Sequence, residues 1–238
     1  MTAFRFLAPI AAFAIIAACA EAPSRVSTEG DQGEPRAEPK TMVASAVEGP
    51  QAPYLSDAPD GLDTAIFAGG CFWCVEKDFE ALPGVVEVVS GYTGGTLDNP
   101  DYKTVSYSET GHFEAAEVLF DPDEVSYREL VDFYWTTVDP TDPTGQFCDT
   151  GSSYRTAVFA TDAQLADAQA SLAQVEATKP FDARIVTPIL PAVTFYDAED
   201  YHQDYYKKNP IRYRTYRAAC RRDATLKRLW GDAAKGGK

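Results

Sequence analysis

A short apolar run, Thr64 to Ala68, meets two glycines and then Cys71-Phe72-Trp73-Cys74-Val75-Glu76, and this junction constrains the fold more than any other stretch. An apolar run ending in paired glycines reads as a strand entering a tight turn. Beyond it Phe72, Val75, Phe79 and Leu82 recur at helical spacing until Pro83-Gly84 stops them. Cys71 thus falls at a helix N-terminus, where unpaired N–H groups and the positive end of the helix dipole favour a thiolate over a thiol. The glycines let backbone approach a ligand closely, and Phe72-Trp73 offers an apolar wall. The junction therefore predicts a nucleophilic cysteine rather than a core thiol.

The chain in order extends this into a fold. Strand Thr64–Ala68 and helix Phe72–Leu82 lead to a valine-rich strand from 85 to 92 and a long polar loop through Gly91-Tyr92-Thr93-Gly94-Gly95 to Gly111, of a length that is usually functional. A strand from Phe113 to Phe120 places Glu114 on the same face as Ala116, Val118 and Phe120. A carboxyl on an apolar face has a raised pKa and keeps its proton. Ser126-Tyr127-Arg128-Glu129 is a capping box for the next helix, and a strand follows from Arg155 to Ala160. The order strand, helix, strand, strand, helix, strand predicts an α/β (α+β) two-layer sandwich with a split β-α-β, ferredoxin-like core. A second capping box at Thr161 opens a helix to Lys179, short strands are expected at 185–189 and 193–196, and C-terminal helices at 198–208 and 213–230.

The ends differ in composition. Arg5 and the apolar residues 6 to 18, ending Ile16-Ala17-Ala18-Cys19, have the form of a signal peptide for residues 1–19 with a lipobox cysteine. Lipidation at Cys19 would hold the exported protein on the periplasmic face of a bacterial membrane. Residues 20–60 carry scattered prolines and few aromatics and read as a disordered tether, leaving 61–238 as the catalytic domain. Residues 61 to 206 hold 26 acidic and 6 basic residues, whereas 207 to 238 hold 11 basic and 2 acidic, so the tail should lie against the acidic body. With a net charge of −15, nucleic acid is not an expected partner.

GCFWC, GYTGG, NPDY, TGHFEA, DPT, GSSYRT and DYHQDYYKKNP, in that order, resemble the A-type peptide methionine sulfoxide reductases over about Asp63 to Pro210. The resemblance implies that Cys71 attacks the sulfoxide sulfur and Glu114 protonates its oxygen, while Tyr102 and Tyr154 hydrogen-bond that oxygen. Phe72 and Trp73 would hold the substrate methyl group, and Asp149 matches a polar pocket residue. It also implies a Cys71 sulfenic acid converted by a second thiol to a disulfide, recycling by a thioredoxin-like donor, the S epimer as substrate, and no metal or other cofactor. A monomer is expected.

The chain departs from the common family pattern at Cys74, Val138 and Phe147-Cys148, and in an arginine-rich tail bearing Cys220. Cys220, on a tail able to dock over the site, is the expected resolving thiol, with Cys148 and Cys74 as alternatives. Two other functions compete: a thiol–disulfide oxidoreductase using Cys71 and Cys74 as a C-x-x-C pair, and a zinc-stabilised lipoprotein with four thiolate ligands.

Overall fold

A computed structural model describes residues 58–236; the expected signal peptide, Cys19 and nearly all of the expected tether lie outside them. In chain order the elements are β1 (Asp63–Gly69), α1 (Phe72–Phe79), β2 (Val85–Thr93), α2 (Tyr102–Tyr107), β3 (Phe113–Phe120), α3 (Tyr127–Trp135), β4 (Gly145–Gln146) and β5 (Asp149–Thr150). They continue through β6 (Thr156–Ala160), α4 (Leu165–Thr178), β7 (Ile189–Pro191), β8 (Tyr196–Asp197), α5 (Tyr205–Lys208), α6 (Pro210–Ala219) and α7 (Arg222–Trp230). Among these residues no helix is long and apolar enough to cross a membrane.

The main sheet has the order β7-β6-β1-β3-β2-β8, and β4 and β5 form a separate small hairpin. The inner four strands, β6-β1-β3-β2, pair antiparallel, as the split β-α-β reading requires. Both central strands are buried along nearly their whole length, which is why they read as apolar runs. One face packs on the helices through Phe67, Phe79, Phe120, Leu130 and Trp135, with Phe67 stacked on Phe79 at 4.7 Å. The expected capping box is formed: the Ser126 side chain accepts from the Glu129 amide, and the Glu129 carboxylate accepts from the Ser126 amide.

Five elements differ from the sequence reading. The polar loop contains α2, capped by the Asp101 side chain, which accepts from the Thr104 amide at 2.7 Å. The expected helix from 198 is helical only at Tyr205–Lys208, because Gln203 instead pairs with Ser90 of β2: its amide nitrogen donates to the Ser90 carbonyl and its oxygen accepts from the Ser90 amide. The short strands move toward the C-terminus, to β7 parallel with β6 and β8 beside β2. The expected helix 213–230 is two helices, α6 and α7, broken where Arg221 adopts φ 56°. A left-handed arginine, with no glycine or proline at the break, leaves no mark in the sequence.

The basic tail does lie against the acidic body. Arg217 pairs with Asp78 at 3.0 Å and with Asp223 at 2.8 Å. Arg222 donates to the carbonyls of Gly69 at 3.0 Å and Thr137 at 2.8 Å, and its guanidinium lies over the Phe147 ring.

Candidate active site

The β1–β3 register pairs Phe67 with Ala116; two residues on, Glu114 comes level with Gly69 at the mouth of the cysteine turn. Cys71 is the N-cap of α1, and the Phe72 amide, one of the unpaired donors of that helix start, gives its hydrogen to the Glu114 carboxyl at 3.2 Å. The nucleophile candidate and the acid candidate are thus joined through a backbone amide.

The paired glycines also serve the packing of the turn. Gly70 has φ +79°, and a Cβ there would lie 2.5 Å from the Gln146 side chain. That close approach is to Gln146, which is fully buried and bonded to both the amide and the carbonyl of Asp139.

A cavity of about 250 Å³ opens above Cys71. Its lining includes every catalytic and substrate residue singled out from the sequence: Cys71, Glu114, Tyr102 and Tyr154, with Phe72, Trp73 and Asp149. Three further lining residues, Tyr205, Arg212 and Tyr216, come from α5 and α6 and were not singled out for the pocket. Tyr205 lay inside the DYHQDYYKKNP motif, and Tyr216 is one helical turn before Cys220; that placement was the available signal.

The walls are tightly fixed. The Trp73 ring stacks on Tyr205 at 3.8 Å, and its indole N–H donates to Nδ1 of His202 at 3.1 Å. His202, buried against Phe72 and Tyr102, was also missed as a support; burial lowers its pKa and keeps the ring neutral, so that Nδ1 can accept. Glu199 accepts from the Tyr92 hydroxyl at 3.0 Å and from the Tyr102 amide at 2.9 Å, which ties α2 to the pocket rim. The Tyr216 hydroxyl donates to Asp149.

The electrostatics confirm one expectation and correct another. Burial pushes the Glu114 carboxyl up to about 8, so it holds a proton at neutral pH. Cys71, expected to be a depressed thiol, is raised instead: burial is the largest cause, followed by its hydrogen bond to Cys74 and the nearby charges of Cys74 and Glu114. The lowered thiol is Cys74, brought to about 7 first by the hydrogen bond from Cys71 and then, against burial, by Arg222 and Arg217.

The remaining cysteines are elsewhere. Cys220, expected to bridge to Cys71, is disulfide-bonded to Cys148, while Cys71 and Cys74 are free. With two sulfurs bonded to each other and two buried at a helix start, the described thiols do not converge as four thiolate ligands, which removes the zinc reading.

A cysteine held in an aromatic pocket beside a protonated acid and two phenols defines an oxidoreductase that works through a cysteine sulfur and protonates what leaves. The comparisons make the class specific. Residues 63–234 match the family model of peptide methionine sulfoxide reductase. Peptide methionine sulfoxide reductase MsrA 2 of Caulobacter vibrioides is 52% identical over 190 residues, covering 79% of this chain and 95% of the relative. The structure of methionine sulfoxide reductase A of Corynebacterium diphtheriae is similar with a TM-score of 0.59 at 35% identity, over 69% of this chain and 88% of the other. That of Mxr1 from Saccharomyces cerevisiae in reduced form has a TM-score of 0.60 at 32% identity, over 64% and 88%. The chain belongs to the A-type peptide methionine sulfoxide reductase family, and its reaction is the reduction of methionine sulfoxide.

Proposed function

We propose that Cys71 attacks the sulfur of methionine S-sulfoxide, free or in proteins, while Glu114 delivers a proton to the oxygen. The observation that carries this assignment of roles is the buried, protonated Glu114, hydrogen-bonded to the Phe72 amide beside Cys71. The substrate methyl group rests against Phe72 and Trp73, which leaves the oxygen facing Glu114, Tyr102 and Tyr154. As the sulfur–oxygen bond of the substrate breaks, oxygen passes to Cys71 as a sulfenic acid and methionine departs. Chirality at sulfur then matters, because exchanging the methyl group and the oxygen would put the polar atom on the indole.

The two electrons come from thiols and are restored by a dithiol donor of the thioredoxin class, with no prosthetic group in the cycle. Cys220, the expected resolving thiol, takes part as one half of the disulfide with Cys148; the exposed position of Cys148 gives such a donor access. We further propose that a signal peptide and a lipidated Cys19 place the enzyme, as a monomer, on the periplasmic face of a membrane, where it repairs exported proteins. The support is the sequence pattern of residues 1–19.

Separated S and R epimers of a methionine sulfoxide peptide test the stereochemistry: turnover of the S form alone is expected, and equal turnover of both would overturn the pocket assignment. Fractionation of cells producing the Cys19→Ser chain tests the anchor, with loss from the membrane fraction expected.

A further inference from the structure

The cysteines of the described region fall into two pairs of unlike character. Cys71 and Cys74 are both buried and both free. They share the first turn of α1: the Cys74 amide donates to the Cys71 carbonyl at 3.0 Å. Residues three apart on a helix face one another with Cβ atoms about 5–6 Å apart, and these two side chains pack in one buried cluster. A C-x-x-C pair at a helix start closes to a disulfide with little backbone movement.

Cys148 and Cys220, by contrast, lie 72 residues apart in sequence, with Cys148 exposed and Cys220 half-buried. Contacts connect the two pairs. Tyr216, one turn before Cys220 on α6, donates to Asp149 and packs against the cluster that holds Cys71, and Asp149 follows Cys148 in the chain.

Two buried arginines bias the inner pair. Arg222 uses its terminal nitrogens on backbone carbonyls, and its Nε has no hydrogen-bond partner among the described residues. After the neighbouring Cys71 thiol, the charges of Arg222 and Arg217 favour the thiolate at Cys74. A thiolate is the form in which a resolving thiol closes a disulfide.

We propose that Cys74, and not Cys220, is the thiol that first resolves oxidised Cys71, and that the Cys71–Cys74 disulfide then hands its oxidation to the Cys148 and Cys220 pair. The proposal rests on the reaction assigned above. In the first step the Cys74 sulfur bonds to the sulfenic sulfur of Cys71, the S–O bond breaks, and the hydroxyl leaves as water with the proton lost by Cys74. In the second, one reduced thiol of the outer pair attacks the inner disulfide and the other closes on it. Two protons and two electrons pass inward, so Cys71 and Cys74 return as thiols while Cys148 and Cys220 become a disulfide. A thioredoxin-class dithiol reduces that disulfide in the third step. The inner pair is thereby reset without a large donor entering a pocket sized for one side chain.

The test is turnover of pre-reduced enzyme on a methionine sulfoxide peptide without reductant, reading methionine released, sulfenic acid trapped by a dimedone probe, and disulfides by peptide mapping. Cys148→Ser is expected to release one methionine per chain and accumulate a Cys71–Cys74 disulfide with Cys220 free. A Cys71–Cys220 disulfide that forms in that variant before any Cys71–Cys74 disulfide would overturn the proposal. The Cys148→Ser/Cys220→Ser double variant is expected to give the same inner disulfide and no dimedone adduct; a persistent adduct would also overturn it. Cys74→Ser is expected to lengthen the life of the sulfenic acid about tenfold or more, since a neighbour in contact acts at high effective concentration. Failure of the wild-type enzyme to release methionine would instead sink the reading on which the proposal rests.

Discussion

The pocket has two halves built on different principles. Cys71, Phe72, Trp73 and Glu114 belong to the central strands and the helix start between them, where strand register and the apolar core fix each Cα. Tyr205, Arg212 and Tyr216 stand on α5 and α6, which, with α7, add polar anchors to the Trp73–Tyr205 stack: Arg217 to Asp78, Arg222 to backbone carbonyls, Lys207 to Glu80 at 2.7 Å, and the Cys148–Cys220 bond. The comparison teaches that chemistry sits on the half that cannot shift, and thiol traffic on the half whose anchors are few and separable. Apolar packing is spread over many contacts, each small, so losing one changes little in position. A half held by a handful of charged bonds responds to each of them.

The largest expected effect lies in the rigid half. Cys71→Ser is expected to abolish methionine sulfoxide reduction in a peptide assay, and measurable turnover would show that the nucleophile lies elsewhere. Glu114→Gln should follow, lowering kcat/KM by about a hundredfold, in the usual range for a general acid. Its pH profile sharpens the point. With its pKa raised to about 8, Glu114 is an acid below that value and loses its proton as pH rises through it, so wild-type kcat/KM should fall above about pH 8. The Gln variant should lack that limb.

In the anchored half the response should be structural first. Arg217→Met removes a guanidinium from a carboxylate whose side chain is 1% exposed and is expected to cost about 3 kcal/mol in urea unfolding. Hydrogen exchange should rise in α6 and α7 before it rises in β1 and β3; uniform loosening would erase the distinction between the halves. The smallest effect belongs to Tyr216→Phe, which removes the hydroxyl that donates to Asp149 beside Cys71. A loss of about threefold in kcat/KM, with little change in stability, is expected.

The same division explains what could be read from the sequence. The inner strands and α1 announce themselves because burial on both faces demands apolar runs and the turn demands glycine. Glu114 stood out as a carboxyl in an apolar strand, and its raised pKa followed from that setting. The tail gave only composition: a basic segment must meet the acidic body, but nothing local says that Arg217 will find Asp78, 139 residues away, or that Arg221 will break the helix. Cys71 shows where a local rule is overruled. A helix N-terminus lowers a thiol's pKa by fixed dipoles, and here burial and a neighbouring thiolate outweigh them. The motif resemblance placed seven pocket residues, whereas Gln146, His202 and Tyr216 act through contacts that only the folded chain brings together.

Arg222 donates to Gly69 across 153 residues of chain. On the ribosome, the turn that presents the nucleophile is made first, and the cation that braces it emerges 153 residues later. A nascent chain therefore carries Cys71 without its finished support, and bonds of such sequence separation close late because long loops cost entropy. The reactive sulfur reaches its working environment only when synthesis has delivered Arg222, so a chain terminated before that residue would keep the thiol and lose the setting that directs it.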